Sequence, residues 1–397
     1  MKTIMKTIIL GGGTFEPIRN HLALSAPAFG TTAKELHKLI PDSELVLTKM
    51  ADATSTLKSN DDVKNYINEL LEDENVKGII LNVAFCDFKV ADGDFHGERL
   101  KTNEGDITLE LTPTEKIIRN IRVKRPDIFL VGFKTTTNKS SEEQFYIGLK
   151  MMKQSKCNLV LANDTVTRNN LIITPEESIY SNTINREDAL NELVEMYTSR
   201  LDATYNRTKH IDEYNYDMSS TSETFQTVLK FLIDNGGYIC NNGNNFTPGH
   251  FCEKKNNNSF YSSQRKANHN LVFDEGLSLV KVENNNDNFT VYGRRKASVG
   301  ARSQWLLLQD NPDYDCIIHT HNPIKENSDI PVAEQKPFQC GSLECGMNTL
   351  NNLKEYDNIK AVYLNKHGSN IMFKSTDNPD NIIQFIKDNL KLGVKTT

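Results

Sequence analysis

Thr7-Ile8-Ile9-Leu10-Gly11-Gly12-Gly13-Thr14 reads as a short apolar strand that runs straight into three glycines. Glycines after a strand let the backbone turn closely past a phosphate and present its N–H groups. Further apolar runs follow at Leu45 to Leu47, Gly78 to Val83, Ile128 to Phe133 and Leu159 to Ala162, separated by helical patterns near 32–40, 61–73, 114–123 and 142–155. This alternation predicts an α/β fold with a doubly wound, Rossmann-like parallel sheet. Ligands of such sheets sit beyond the carboxyl ends of the strands. A helical segment from Asn185 to Leu201 closes the domain, which we place at 1–203.

Thr204 to Ser222 is rich in Asn, Asp, Ser, Thr and Tyr without periodicity and reads as a linker, 204–222. A second domain, 223–397, opens with a helical apolar pattern from Thr224 to Asn235. The Asn-heavy region from Asn241 to Asn258 is expected to be a long surface loop, or else a functional one. At 397 residues, 38% hydrophobic and 25% charged, the composition is that of a two- or three-domain globular protein. A net charge of −6 with scattered basic residues gives no nucleic-acid footprint, and no run is long enough to span a bilayer. The amino terminus reads as a first strand and not a signal peptide. Seven cysteines without a Cys-x-x-Cys pair point to reduced thiols and a cytoplasmic setting.

Chemistry is carried by Asp315-Cys316-Ile317-Ile318-His319-Thr320-His321. On a strand alternate residues share a face, so both imidazoles can meet one ion. Tyr363-Leu364-Asn365-Lys366-His367-Gly368 repeats the form, an apolar strand ending in histidine. Neutral imidazole is the usual ligand of zinc or a similar divalent ion, and three of them leave a coordination position for water or substrate.

Between the histidines lies Lys336-Pro337-Phe338-Gln339-Cys340-Gly341-Ser342-Leu343-Glu344-Cys345-Gly346, leading into a helical stretch through Leu350 and Leu353. This order resembles the class II aldolase/adducin family, from about Thr224 to the end. The resemblance implies an α/β domain with a central, mainly antiparallel sheet, and His319, His321 and His367 as metal ligands. Two substrate segments depart from the family. Thr247-Pro248-Gly249-His250-Phe251-Cys252-Glu253 stands for a Gly-Asn-x-Ser phosphate segment, and Phe273-Asp274-Glu275-Gly276 for Thr-Pro-Ser-Gly. A carboxylate at Glu275 repels a phosphate dianion, so an unphosphorylated or differently anchored substrate is expected. The family's proton-transfer glutamate falls on Gly300, nineteen residues ahead of His319. Arg302 is then the candidate for holding an anionic substrate, and Glu344 or Glu275 for the base. For Glu344, a helix cap or a solvent-facing position is the competing reading.

The first half resembles phosphopantothenoylcysteine synthetase, a nucleotide-dependent ligase of coenzyme A synthesis. The matching blocks are Gly12-Gly13-Thr14-Phe15-Glu16-Pro17-Ile18, Asn82-Val83-Ala84-Phe85-Cys86-Asp87-Phe88, Glu98-Arg99-Leu100-Lys101, Leu111-Thr112-Pro113-Thr114, Val131-Gly132-Phe133 and Ala162-Asn163-Asp164. They imply a nucleotide, ATP or CTP, held by Gly11, Gly12, Gly13, Thr14 and Phe133, with Asp87 and Asn163 by the base and Lys101 by the phosphates. Ser25-Ala26-Pro27-Ala28-Phe29-Gly30 replaces a Ser-Asn-His-Ser-Ser-Gly segment, and alanine cannot supply the asparagine's hydrogen bonds. Phe133-Lys134-Thr135-Thr136-Thr137 replaces Phe-Ala-Ala-Glu-Thr and adds a cation.

The expected function is therefore metal-dependent lyase chemistry of retro-aldol, dehydratase or epimerase type on a small hydroxy-carbonyl compound, joined to nucleotide binding. The alternatives are a phosphopantothenate–cysteine-type ligase and a non-catalytic binding or assembly protein. Both resembled families imply a homo-oligomer.

Overall fold

A computed structural model describes residues 6–91, 99–175, 179–201, 203, 207–240, 245–283, 288–334, 338, 340–365 and 367–394. The chain divides into two compact units, Met1–Leu201 and Asp202–Thr397.

The first unit runs β1 (Lys6–Gly13), β2 (Phe15–Arg19), β3 (Leu22–Ser25), α1 (Thr31–Leu39), β4 (Ser43–Leu47), α2 (Asn60–Leu70), β5 (Val76–Ala84), β6 (Phe88–Val90), β7 (Leu111–Pro113), α3 (Ile117–Lys124), β8 (Phe129–Thr136), α4 (Ser141–Ser155), β9 (Leu159–Asp164), β10 (Asn170–Ile173), β11 (Ile179–Thr183) and α5 (Arg186–Leu201). Its main sheet has the order β11-β10-β9-β8-β5-β1-β4. From β9 to β4 every pairing is parallel, as the alternation of strands and helices predicts. Ile8, Leu10, Ile79, Leu81 and Leu130 face α2, α3 and α4 on one side. Ile9, Ile80, Phe129, Val131 and Leu161 face α1 and α5 on the other. Burial on both faces is why these strands read as unbroken apolar runs. The antiparallel strands β10 and β11 were not legible as such, because β10 follows β9 after a short turn with no helix between, and β11 then pairs on β10.

The second unit runs β12 (Arg207–Ile211), α6 (Glu223–Asp234), β13 (His250–Asn256), β14 (Ser259–Ser262), α7 (Val272–Glu275), β15 (Ser278–Glu283), β16 (Asn288–Tyr292), α8 (Ala301–Asp310), β17 (Cys316–Thr320), β18 (Val332–Ala333), α9 (Leu343–Leu350), β19 (Lys354–Tyr356), β20 (Ile359–Leu364), β21 (Gly368–Phe373) and α10 (Pro379–Asn389). The sheet order is β12-β16-β15-β14-β13-β17-β21-β20-β18. Its central pairings, from β16 through β20, are antiparallel. Phe251, Ile318, Ile371 and Phe373 pack against α6 and α10. Cys252, Phe260, Ile317 and Met372 pack with Trp305 and Leu308 of α8. Trp305 stacks on Phe260 at 5.4 Å between centroids.

Two segments differ from their sequence reading. The Asn-heavy stretch is not one long loop. From His250 onward it is a central strand, and Asn257 and Asn258 form the tip of the β13–β14 hairpin. Asn256 to Asn258 lie at that end of the hairpin, while Phe251 and Cys252 are fully buried. Within the stretch read as a linker, Arg207–Ile211 pairs in parallel with β16, because backbone ladder bonds do not require an apolar pattern. Residues 204–206 of that stretch, 241–244 of the Asn-rich region, Glu98, Lys336, Pro337, Gln339 and Lys366 lie outside the described residues.

Candidate metal site and nucleotide edge

His319 occupies the penultimate position of β17 and His321 follows its end. His367 stands immediately before β21. The hairpin between β20 and β21 brings it in. His367 N–H donates to the Leu364 carbonyl at 2.9 Å, and Gly368 follows at φ +144, where a Cβ would collide with the Thr320 carbonyl. Glycine therefore lets the hairpin press on the end of β17. One potential ligand atom from each histidine lies within 4.8 Å of the other two. Ring centroids are 4.9 Å apart for His319–His321 and His319–His367 and 4.8 Å for His321–His367.

The protonation pattern suits a ligand. His319 Nδ1 lies 3.0 Å from the Ser369 carbonyl, which only accepts, so the ring donates there. The proton on Nδ1 leaves the Nε2 lone pair free, and Nε2 is buried without a hydrogen-bond partner. Burial, reinforced by the neighbouring imidazoles, pushes the His319 pKa well below the usual histidine value. A neutral imidazole with an unsatisfied, buried acceptor fits a divalent ion. Among the described residues no carboxylate joins this group.

A fourth ring, absent from the sequence-level site, stands beside it. His250 lies opposite His319 across the β13–β17 ladder, and the two rings stack at 4.6 Å and 29°. Gln304 Nε2 contacts His250 Nδ1 at 2.7 Å. Burial, followed by the nearby His367 and His269, holds the His250 pKa down to about 3.

The other candidates are more dispersed. Arg302 is the second residue of α8, and its Nε and Nη1 are buried with no hydrogen-bond partner. Glu344 lies in the first turn of α9, whose cap is Ser342 accepting from Cys345 N–H at 3.1 Å. Glu275 ends α7 with its carboxylate 3.7 Å from Arg295.

In the first unit, the end of β1 with Thr14, the residues after β5 with Asp87, Phe133 in β8 and Asn163 in β9 belong to parallel neighbours. Thr14, Asp87 and Asn163 stand at or just past the carboxyl ends of their strands, where open α/β sheets take ligands, while Phe133 lies within β8. Gly11, Gly12 and Gly13 are not a free turn beyond the strand. They are the last residues of β1 and pair with Asn82, Val83 and Ala84. Chain packs closely on all three: Ala33 on Gly11, Thr48 on Gly12, and the Ala26 carbonyl on Gly13. Thr14 is buried and donates to Asn60 Oδ1 at 2.6 Å. Asp87 pairs with Lys116 at the surface, and Lys101 is an exposed residue between β6 and β7.

Comparison with known proteins finds similarity in the first unit. Residues 39–196 match the model of the DNA/pantothenate metabolism flavoprotein C-terminal domain. The coenzyme A biosynthesis bifunctional protein CoaBC of Thermococcus kodakarensis is 28% identical over 169 residues, 40% of this chain. The chain covers 41% of that relative's length. The sequence reading of the first half is thus supported at the level of a DNA/pantothenate-metabolism-type domain. Among solved structures, the DNA/pantothenate metabolism flavoprotein from Streptococcus pneumoniae aligns at a TM-score of 0.41 with 20% identity, covering 49% of this chain and 96% of that one. An L-fuculose 1-phosphate aldolase aligns at 0.31 with 17% identity, covering 42% and 82%. Among the described residues no helix is long and apolar enough to cross a membrane.

Proposed function

We propose that the protein is a fused metabolic enzyme whose second unit carries metal-dependent lyase chemistry on a small hydroxy-carbonyl compound. The observation that carries this reading is the His319, His321, His367 group with its buried, unsatisfied Nε2. These three imidazoles would hold zinc or a similar borderline ion. Such an ion supplies Lewis-acid polarisation of a carbonyl. Ser369 orients His319, and Arg302, whose guanidinium has nitrogens without a partner, is our candidate for holding an anionic end of the substrate. Glu344 and Glu275 remain our candidates for the base. Glu275 in place of a hydroxyl favours a substrate without a phosphate.

Metal analysis of protein purified without added ions tests this reading. About one zinc-like ion per chain is expected, with strong loss in His319→Ala because two imidazoles make a poor site. A metal-free native protein would leave a non-catalytic binding role. A hydroxamate without phosphate should bind better than its phosphorylated counterpart, and the reverse order returns the domain to sugar-phosphate substrates.

A second reading, for the first unit, is nucleotide binding with ligase chemistry of the phosphopantothenate–cysteine type. The family match over residues 39–196 favours it. Turnover of phosphopantothenate and cysteine with ATP or CTP would promote it over the lyase.

A further inference from the structure

We infer that His250 is a positioning residue of the histidine centre: from strand β13 it packs on His319 and fills the space that Gly300 leaves open. The centre is thereby built of imidazoles on the side where residue 300 carries no side chain. The inference rests on the metal reading above and deepens it.

The ring is held from three directions. Its face stacks on His319 at 4.6 Å, a closer approach than either His321 or His367 makes to that ring. Its Nδ1 edge meets Gln304 Nε2 at 2.7 Å. Its opposite edge rests on Gly300, where a Cβ would stand 2.5 Å from both Cδ2 and Nε2. Gly300 and Gln304 are four residues apart at the start of α8, so one face of that helix makes both contacts. Only glycine at 300 leaves room for the ring, and a glutamate there would displace it. The strand end is fixed too. Gly249, at φ +99, lets the backbone approach the His319 carbonyl, and His269 Nε2 lies 3.0 Å from the Gly249 carbonyl, as a donor.

The consequence concerns His319. Its Nδ1–H is tied to Ser369 and its face to His250, so the ring is held on two sides and Nε2 is the nitrogen left for an ion. Groups that orient a ligand in this way typically change metal affinity about 10–100-fold when removed. Nothing in this role requires a nitrogen of His250 to touch the ion.

The test compares the native chain with His250→Ala, His250→Phe and Gly300→Ala, using zinc affinity by chelator competition and the visible spectrum of the cobalt(II)-loaded protein. Circular dichroism confirms that each variant is folded. His250→Ala should weaken zinc about 10–100-fold and alter the cobalt spectrum. Gly300→Ala should do the same by displacing the ring. His250→Phe keeps an aromatic face and should recover most of the affinity. Native affinity and spectrum in His250→Ala overturn the inference, as does a His250→Phe variant as weak as His250→Ala, which would assign the effect to the nitrogen. Failure of the native protein to take up zinc or cobalt overturns the metal reading itself, so the two failures are told apart.

Discussion

At the residue scale, glycine decides whether the histidines meet. Gly368 adopts φ +144 and touches the Thr320 carbonyl, so Gly368→Ala combines backbone strain with a collision. We expect that variant to fold and to lose zinc affinity by at least about tenfold, as a displaced ligand would, measured by chelator competition. Native affinity in Gly368→Ala would show that the hairpin does not set His367. Arg302 is the second residue whose environment predicts behaviour. Because Nε and Nη1 are buried without partners, removing the charge relieves an unsatisfied group in the free protein. Arg302→Leu should therefore leave the melting temperature unchanged or raise it, while anionic ligands bind more weakly. A large drop in melting temperature would make the residue structural.

At the scale of elements, caps and buried carboxyls set the stability. The helix α4 begins with a capping box in which Ser140 Oγ accepts from Glu143 N–H at 3.2 Å and Glu143 accepts from Ser140 N–H at 3.1 Å. Ser140→Ala should cost about 1 kcal/mol in chemical denaturation. Glu253 in β13 accepts from Ser222 N–H, at the cap of α6, at 3.0 Å. Burial nonetheless raises its pKa to about 7 against an ordinary 4.5, so the native state holds the proton that the unfolded chain releases. The stabilisation is complete below pH 4.5 and is lost as pH rises to about 7. Glu253→Gln should flatten the fall in melting temperature across that window, and an unchanged pH profile would refute the assignment.

At the scale of the whole molecule, each unit has its own sheet and its own core, so each should respond to its own ligand. Calorimetric titration of the full chain with ATP and CTP is expected to give binding that Asp87→Ala weakens and His319→Ala does not. No heat and no thermal shift at millimolar nucleotide would leave the first unit as a scaffold alone. Much of the first unit was legible because strands covered on both faces appear as apolar runs, and helix patterns separate them. The candidate ligands of the second unit were legible because two histidines share the period of a strand. His250 was hidden, since a lone histidine after a polar stretch has no periodic signature.

What the sequence determined by itself was local: where strands and helices form, that β1 ends in small residues, and that three histidines close two apolar strands. Those follow from propensity, periodicity and the geometry of neighbouring residues. Only the tertiary structure decided which side of a glycine is occupied. Gly11, Gly12 and Gly13 read as a phosphate turn, and Ala33, Thr48 and the Ala26 carbonyl stand where their side chains would be. Gly300 read as the loss of a catalytic acid, yet the ring of His250 stands there, brought in from another strand. A glycine announces that something comes close. What comes close is set by long-range packing, which the order of residues near the glycine does not contain.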